Sequence, residues 1–143
     1  MAKRTKRKRV ENLVRTAEIS SFRVYLSAGI RNANSTHPER EGEAGLEFRG
    51  TLEEPVKGQS AVRFGVHQAK DDSFGTKRPA VVGYVFSVNP DVHVYVQLQR
   101  DLYDKVFAMA MAGRVRHAYV VMTPPRYGSA EVPSISFSNE PIE

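Results

Sequence analysis

The chain of 143 residues contains no cysteine. A disulfide scaffold, a thiolate zinc site and a thiol nucleophile are all excluded. Its longest apolar runs are strand-sized, too short for a membrane-spanning helix. The N-terminus is charged, with no apolar stretch behind it, so it does not read as a secretory signal. The expected compartment is the cytoplasm, or the nucleus in a eukaryote, and no membrane partner is expected. Familiar catalytic patterns are missing too. There is no Gly-x-Ser-x-Gly elbow, no Walker loop and no dinucleotide glycine pattern. The four histidines, His37, His67, His93 and His117, form no HxH or HxxxH pair. Without recognisably spaced partners they predict no metal, and no cofactor is expected. The carboxylate pairs Glu53-Glu54 and Asp71-Asp72 fall at turns, and neighbouring strand residues point apart, so neither pair reads as a shared acid/base site.

What the chain does have is a charge run. Lys3, Arg4, Lys6, Arg7, Lys8 and Arg9 put six cations into the first nine residues. Removing those six from the 21 basic residues leaves 15, against 16 acidic ones. The net charge of +5 therefore belongs to the arm, and the remainder is close to neutral. Like charges repel, and little here can pack, so residues 1–9 are expected to be disordered in isolation. Val10, Leu13, Val14 and Ala17 then follow i, i+3, i+4, i+7 spacing, which predicts a short helix leading the arm onto the fold. The expected organisation is a basic arm over 1–17 and one β-rich domain over 18–143.

Strand signals dominate that domain. Phe22, Val24 and Leu26 alternate with Arg23, Tyr25 and Ser27, which predicts a first strand with the apolar set inward. Arg31 to Ala44 is polar and aperiodic, which predicts a disordered or mobile flap. Leu46 to Leu52 and Val62 to His67 alternate as two more strands. Ala80 to Val88 is apolar at both parities and predicts a strand covered on both faces. Asn89-Pro90-Asp91 turns the chain into Val92–Leu98, another alternating strand. Asp101 to Ala112 is the one good helix, with Leu102, Val106, Met109 and Ala110 on its apolar stripe, Asp101 at its cap and Gly113 at its stop. Val115 to Met122 and Val132 to Phe137 complete the set, and Pro133 marks the last as an edge.

These elements predict a mainly β fold of about seven strands. An antiparallel two-sheet sandwich, with the helix bridging two strands, is the first expectation. The alternative is an α+β single curved sheet with the helix on one face. The expected function is a non-enzymatic interaction or assembly module that contacts nucleic acid non-specifically through Lys3, Arg4, Lys6, Arg7, Lys8 and Arg9, because cations that neutralise phosphates release counterions. Phe74 is the lone large apolar residue of a polar stretch, and Arg126 and Tyr127 sit in a Pro-Pro-Arg-Tyr-Gly loop, so these three are expected at a protein contact or in self-assembly. Outward Tyr25 and Tyr95, beside Arg23 and Gln97, suit base stacking, but ordinary strand tyrosines explain them equally well and no RNP-like or KH-like pattern accompanies them. Two alternatives stand beside this reading: a protein-interaction or structural subunit with a solubilising tail, and an enzyme whose site the sequence does not reveal.

Overall fold

The computed structural model describes residues 11–31, 39–69 and 81–141. They form a mainly β fold: a single sheet of eight strands, nearly closed into a barrel. The strands are β1 (Leu13–Arg31), β2 (Glu39–Val56), β3 (Gln59–Gln68), β4 (Gly83–Ser87), β5 (Val92–Leu98), β6 (His117–Met122), β7 (Ala130–Val132) and β8 (Ser134–Ser138). One helix, α1 (Arg100–Met111), joins β5 to β6. The spatial order is β7-β4-β5-β3-β2-β1-β6-β8.

The expected two-sheet sandwich is corrected to the single curved sheet, and Pro133 supplies the reason. Proline cannot donate to a ladder, so the last strand breaks there. Its first part, β7, pairs with β4, and its second part, β8, pairs with β6. The two ends of the sheet are thus consecutive pieces of one chain segment. The Thr123 backbone N–H also donates to the Glu131 carbonyl at 2.9 Å, drawing β6 towards β7. Pairing is not wholly antiparallel either. β5 lies parallel to β3, with Phe64 opposite Val94, because the chain first lays down β4 and then returns into the gap.

Local sequence explains most elements. The β2–β3 hairpin turns on Lys57 and Gly58, both at positive φ, which matches the right-handed twist of the strands it joins. Helix α1 ends as its glycine predicts: Gly113 has a φ of 69°, and the Gly113 and Arg114 amides donate back to the Ala110 and Met109 carbonyls. Its N-cap is Gln99, without a side-chain bond, and Asp101 lies in the first turn rather than at the cap. Leu102 is exposed; Tyr103 and Ala110 are the buried pair, so the packed stripe is rotated from the expected one.

Three further expectations change. Leu13–Ala17 is strand, not helix, because it pairs with Ala118–Met122 of β6; two turns of helix cannot compete with a full ladder. The expected flap is shorter at both ends. β1 runs through Arg31 and β2 starts at Glu39, since backbone pairing needs no apolar side chain, and residues 32–38 lie outside the described set. β4 is covered on one face only. Val85 is buried, while Tyr84 and Phe86 are exposed, because a closed sheet has a single interior.

That interior is filled by Leu46, Phe48, Phe64, Val66, Val94, Val96, Val120 and Met122, all fully buried. Phe137 of β8 closes on Phe48 and Phe64, with ring centroids 5.3 and 6.0 Å away. Phe22 and Val24 share the inner side through their pairing with Phe48 and Leu46, and Leu26 follows by alternation, but all three are exposed, because β1 runs on past the end of β6. Among the described residues, no helix is long and apolar enough to cross a membrane.

Candidate nucleic-acid interface

The outward side of β1, β2, β3, β5 and β4 is where the polar and aromatic residues gather. Strand register fixes who meets whom. One row reads Arg23, Glu47, Gly65, Tyr95 and Tyr84 across the five strands. The next row reads Tyr25, Gly45, His67 and Gln97. On the other side lie Arg49, Arg63 and His93. Directly opposed residues share a face, so all these side chains stand on the barrel's exterior.

Glycine shapes the surface. At Gly45 a Cβ would overlap the Tyr25 ring, so its absence lets that ring lie down on the sheet. At Gly65 a Cβ would meet the His67 and His93 rings at 3.5 and 3.8 Å. The rings form a connected run over these gaps. The Tyr25 hydroxyl lies 3.0 Å from both His67 ring nitrogens. His67 and Tyr95 have centroids 4.6 Å apart with planes 30° off parallel. Phe86 follows at 5.4 Å from Tyr95 and 5.8 Å from His93. The Gln97 amide donates to the Tyr95 hydroxyl at 3.2 Å, fixing that ring's far end.

The charged groups on this face are mostly paired. Arg23 and Arg49 both donate to the carboxylate of Glu47, at 2.8 and 2.9 Å. Burial alone would raise the Glu47 carboxyl, but the hydrogen bonds and charges of Arg49 and Arg23 outweigh it and hold the group below its ordinary value. Arg63 takes Asp91 in a two-point contact, Nε to Oδ2 at 2.7 Å and Nη2 to Oδ1 at 3.3 Å. The His93 imidazole is lowered first by burial and then by Arg63, with Asp91 and Glu47 opposing. Three guanidinium groups thus meet two carboxylates, and the face is close to electrical balance. It offers rings and planar donors rather than a strong positive field.

The sequence-based candidates distribute unevenly. Lys3, Arg4, Lys6, Arg7, Lys8, Arg9 and Phe74 lie outside the described residues. Arg126 and Tyr127 occupy a tight turn between β6 and β7, where Arg126 and Ser129 pair through their backbones and Tyr127, at a φ of 52°, is fully exposed at the tip. Tyr25, Tyr95, Arg23 and Gln97 do come together. His67, Arg63 and Phe86 were not singled out for this face, although alternation within β3 already turned Arg63 and His67 outward. What joined them to Tyr95 was the parallel β3–β5 pairing. Two of the four histidines, His67 and His93, share the face; among the described residues no group of three side chains is placed to hold a metal ion.

Comparison with protein-family models, with curated proteins and with solved structures finds no match for this chain. Class is therefore defined by architecture alone: a mainly β barrel-like sheet with an aromatic exterior face.

Proposed function

We propose that the protein is a non-enzymatic module that contacts nucleic acid. Its N-terminal cations supply attraction, and the aromatic face supplies a docking surface. The observation that carries this reading is the connected run Tyr25, His67, Tyr95 and Phe86 on the barrel exterior, where a solvated sheet ordinarily shows isolated polar side chains. Bases stack on such rings whatever their sequence, and lysines and arginines track the phosphates. Lys3, Arg4, Lys6, Arg7, Lys8 and Arg9 would give contacts that position the strand and carry no sequence information. The test separates the two parts. Removing residues 1–9 should abolish the salt-sensitive component of binding and leave the melting temperature in place. Full-strength, salt-sensitive binding by the truncated chain would refute the arm's role.

A second reading, a protein-interaction or assembly subunit, is favoured by a different observation. Beyond Ser20, β1 pairs only with β2 among the described residues, and beside this open edge Phe22, Val24 and Leu26 are exposed, Leu26 at 78%. Edges of this kind accept an added strand. Light scattering on the full chain and on Leu26→Lys tests it: a higher-order species lost in the variant supports assembly, and a monomer in both counts against it.

A further inference from the structure

A groove of about 630 Å³ is lined by residues of β4, by Asn12 and by the segment that joins β6 to β7. Tyr84 and Phe86, 47% and 59% exposed, line it. Pro124, Arg126 and Ser129 line it as well, from the joining segment. We infer that this groove holds an unpaired base of a single-stranded nucleic acid, and that it makes the protein selective for single strands over duplex. The inference rests on the nucleic-acid reading above and assigns it a ligand class and a site.

Four observations support it. The volume is that of a small-molecule site, large enough for a flat heterocycle with its sugar. Exposed Tyr84 and Phe86 offer aromatic faces, and Pro124 and the Arg126 guanidinium in the same lining are flat groups on which a base can also pack. Among the described residues Arg126 makes no ion pair, unlike Arg23, Arg49 and Arg63, so its charge is available to a phosphate. Glu131 also lines the groove, with its backbone N–H and carbonyl engaged by Thr123, and its exposed carboxylate confines a phosphate to the Arg126 side.

Placement completes the case. Phe86 belongs both to the groove and to the aromatic run, through its contacts with Tyr95 and His93, so a strand lying on the face continues into the groove. Asn12 is a groove residue, and Arg9, the last of the six N-terminal cations, is three positions before it. At most about 10 Å of chain separates them. Duplex bases are stacked on both sides and paired at their edges, so only an unstacked base can enter.

Equilibrium binding of the full chain to labelled oligothymidine, oligouridine, an abasic strand of equal length and a duplex tests this at fixed salt. The two base-bearing single strands should bind at least tenfold more tightly than the abasic strand or the duplex; a preference between them identifies DNA or RNA as the source. Phe86→Ala should weaken oligothymidine binding roughly tenfold and leave abasic-strand binding unchanged, with Tyr84→Ala as an independent repeat. Both side chains are exposed, so melting temperature checks that the fold persists. Equal affinity for all four probes, or indifference to both variants, overturns the groove assignment and leaves nucleic-acid contact standing. Failure to bind any probe overturns the underlying reading as well.

Discussion

His67 on β3 and Tyr95 on β5 stack with ring centroids 4.6 Å apart and planes 30° off parallel. Their contact comes from parallel pairing, which sets His67 opposite Gln97 and Gly65 opposite Tyr95, and so brings the two rings side by side on one face. The aromatic face depends on its glycines. Gly45→Ala should therefore disturb the face more than the fold. The new methyl meets the far end of the Tyr25 ring rather than backbone, so Tyr25 is displaced from His67. Oligonucleotide affinity should fall several-fold while the melting temperature changes little; a large loss of stability would contradict this.

Gly83 and Gly50 behave differently. A Cβ at Gly83 would overlap the Tyr95 carbonyl, and one at Gly50 the Glu18 carbonyl. Both obstacles are backbone in neighbouring strands. Gly83→Ala should destabilise by about 1–3 kcal/mol, as overpacking does, read as a lower midpoint in urea.

Two titrations have opposite physical origins and the same sign in pH. The Glu47 carboxyl is held below 4.5 in the native state, so its contribution to stability is complete above 4.5 and is lost as the pH falls through the native value. His93 is held below 6.5, so the unfolded chain takes up its proton first, and stability declines as the pH falls from 6.5 through the depressed value. Glu47→Gln should reduce the acid-limb slope and cost about 1–2 kcal/mol near neutral pH, since charge-assisted bonds from Arg23 and Arg49 are weakened. His93→Gln should flatten the limb just below 6.5. Urea midpoints across the pH range measure both, and unchanged slopes would contradict the assignments.

The Tyr103 hydroxyl is buried with no hydrogen-bond partner among the described residues, and burial, with Asp104, raises its pKa. An orphaned buried hydroxyl costs about 1–3 kcal/mol. Tyr103→Phe should leave the protein as stable or make it more so, judged by melting temperature.

Much of the fold was legible because alternation is a local signal. β5 is the expected Val92–Leu98, and α1 is displaced by one residue from the expected 101–112. Closure was not legible, since Pro133 marks a break without saying that the pieces on either side pair with β4 and β6. Leu13–Ala17 misled because four apolar residues in eight positions satisfy a helical spacing as readily as a strand with a distant partner. The candidate face was half legible. Tyr25, Tyr95, Arg23 and Gln97 follow from alternation, whereas the parallel register brings in His67, and only the β4–β5 bulge at Phe86 extends the run to the groove.

The central claim is a division of labour between a cationic arm and a nearly neutral aromatic face. Oligothymidine affinity as a function of salt, for the full chain and for the chain lacking residues 1–9, tests it most directly. The account predicts a log–log slope on the order of −4 for the full chain, from six cations on a single strand, and a shallow slope with weak residual binding after truncation. An unchanged steep slope without the arm would place the attraction in the folded body and contradict the account.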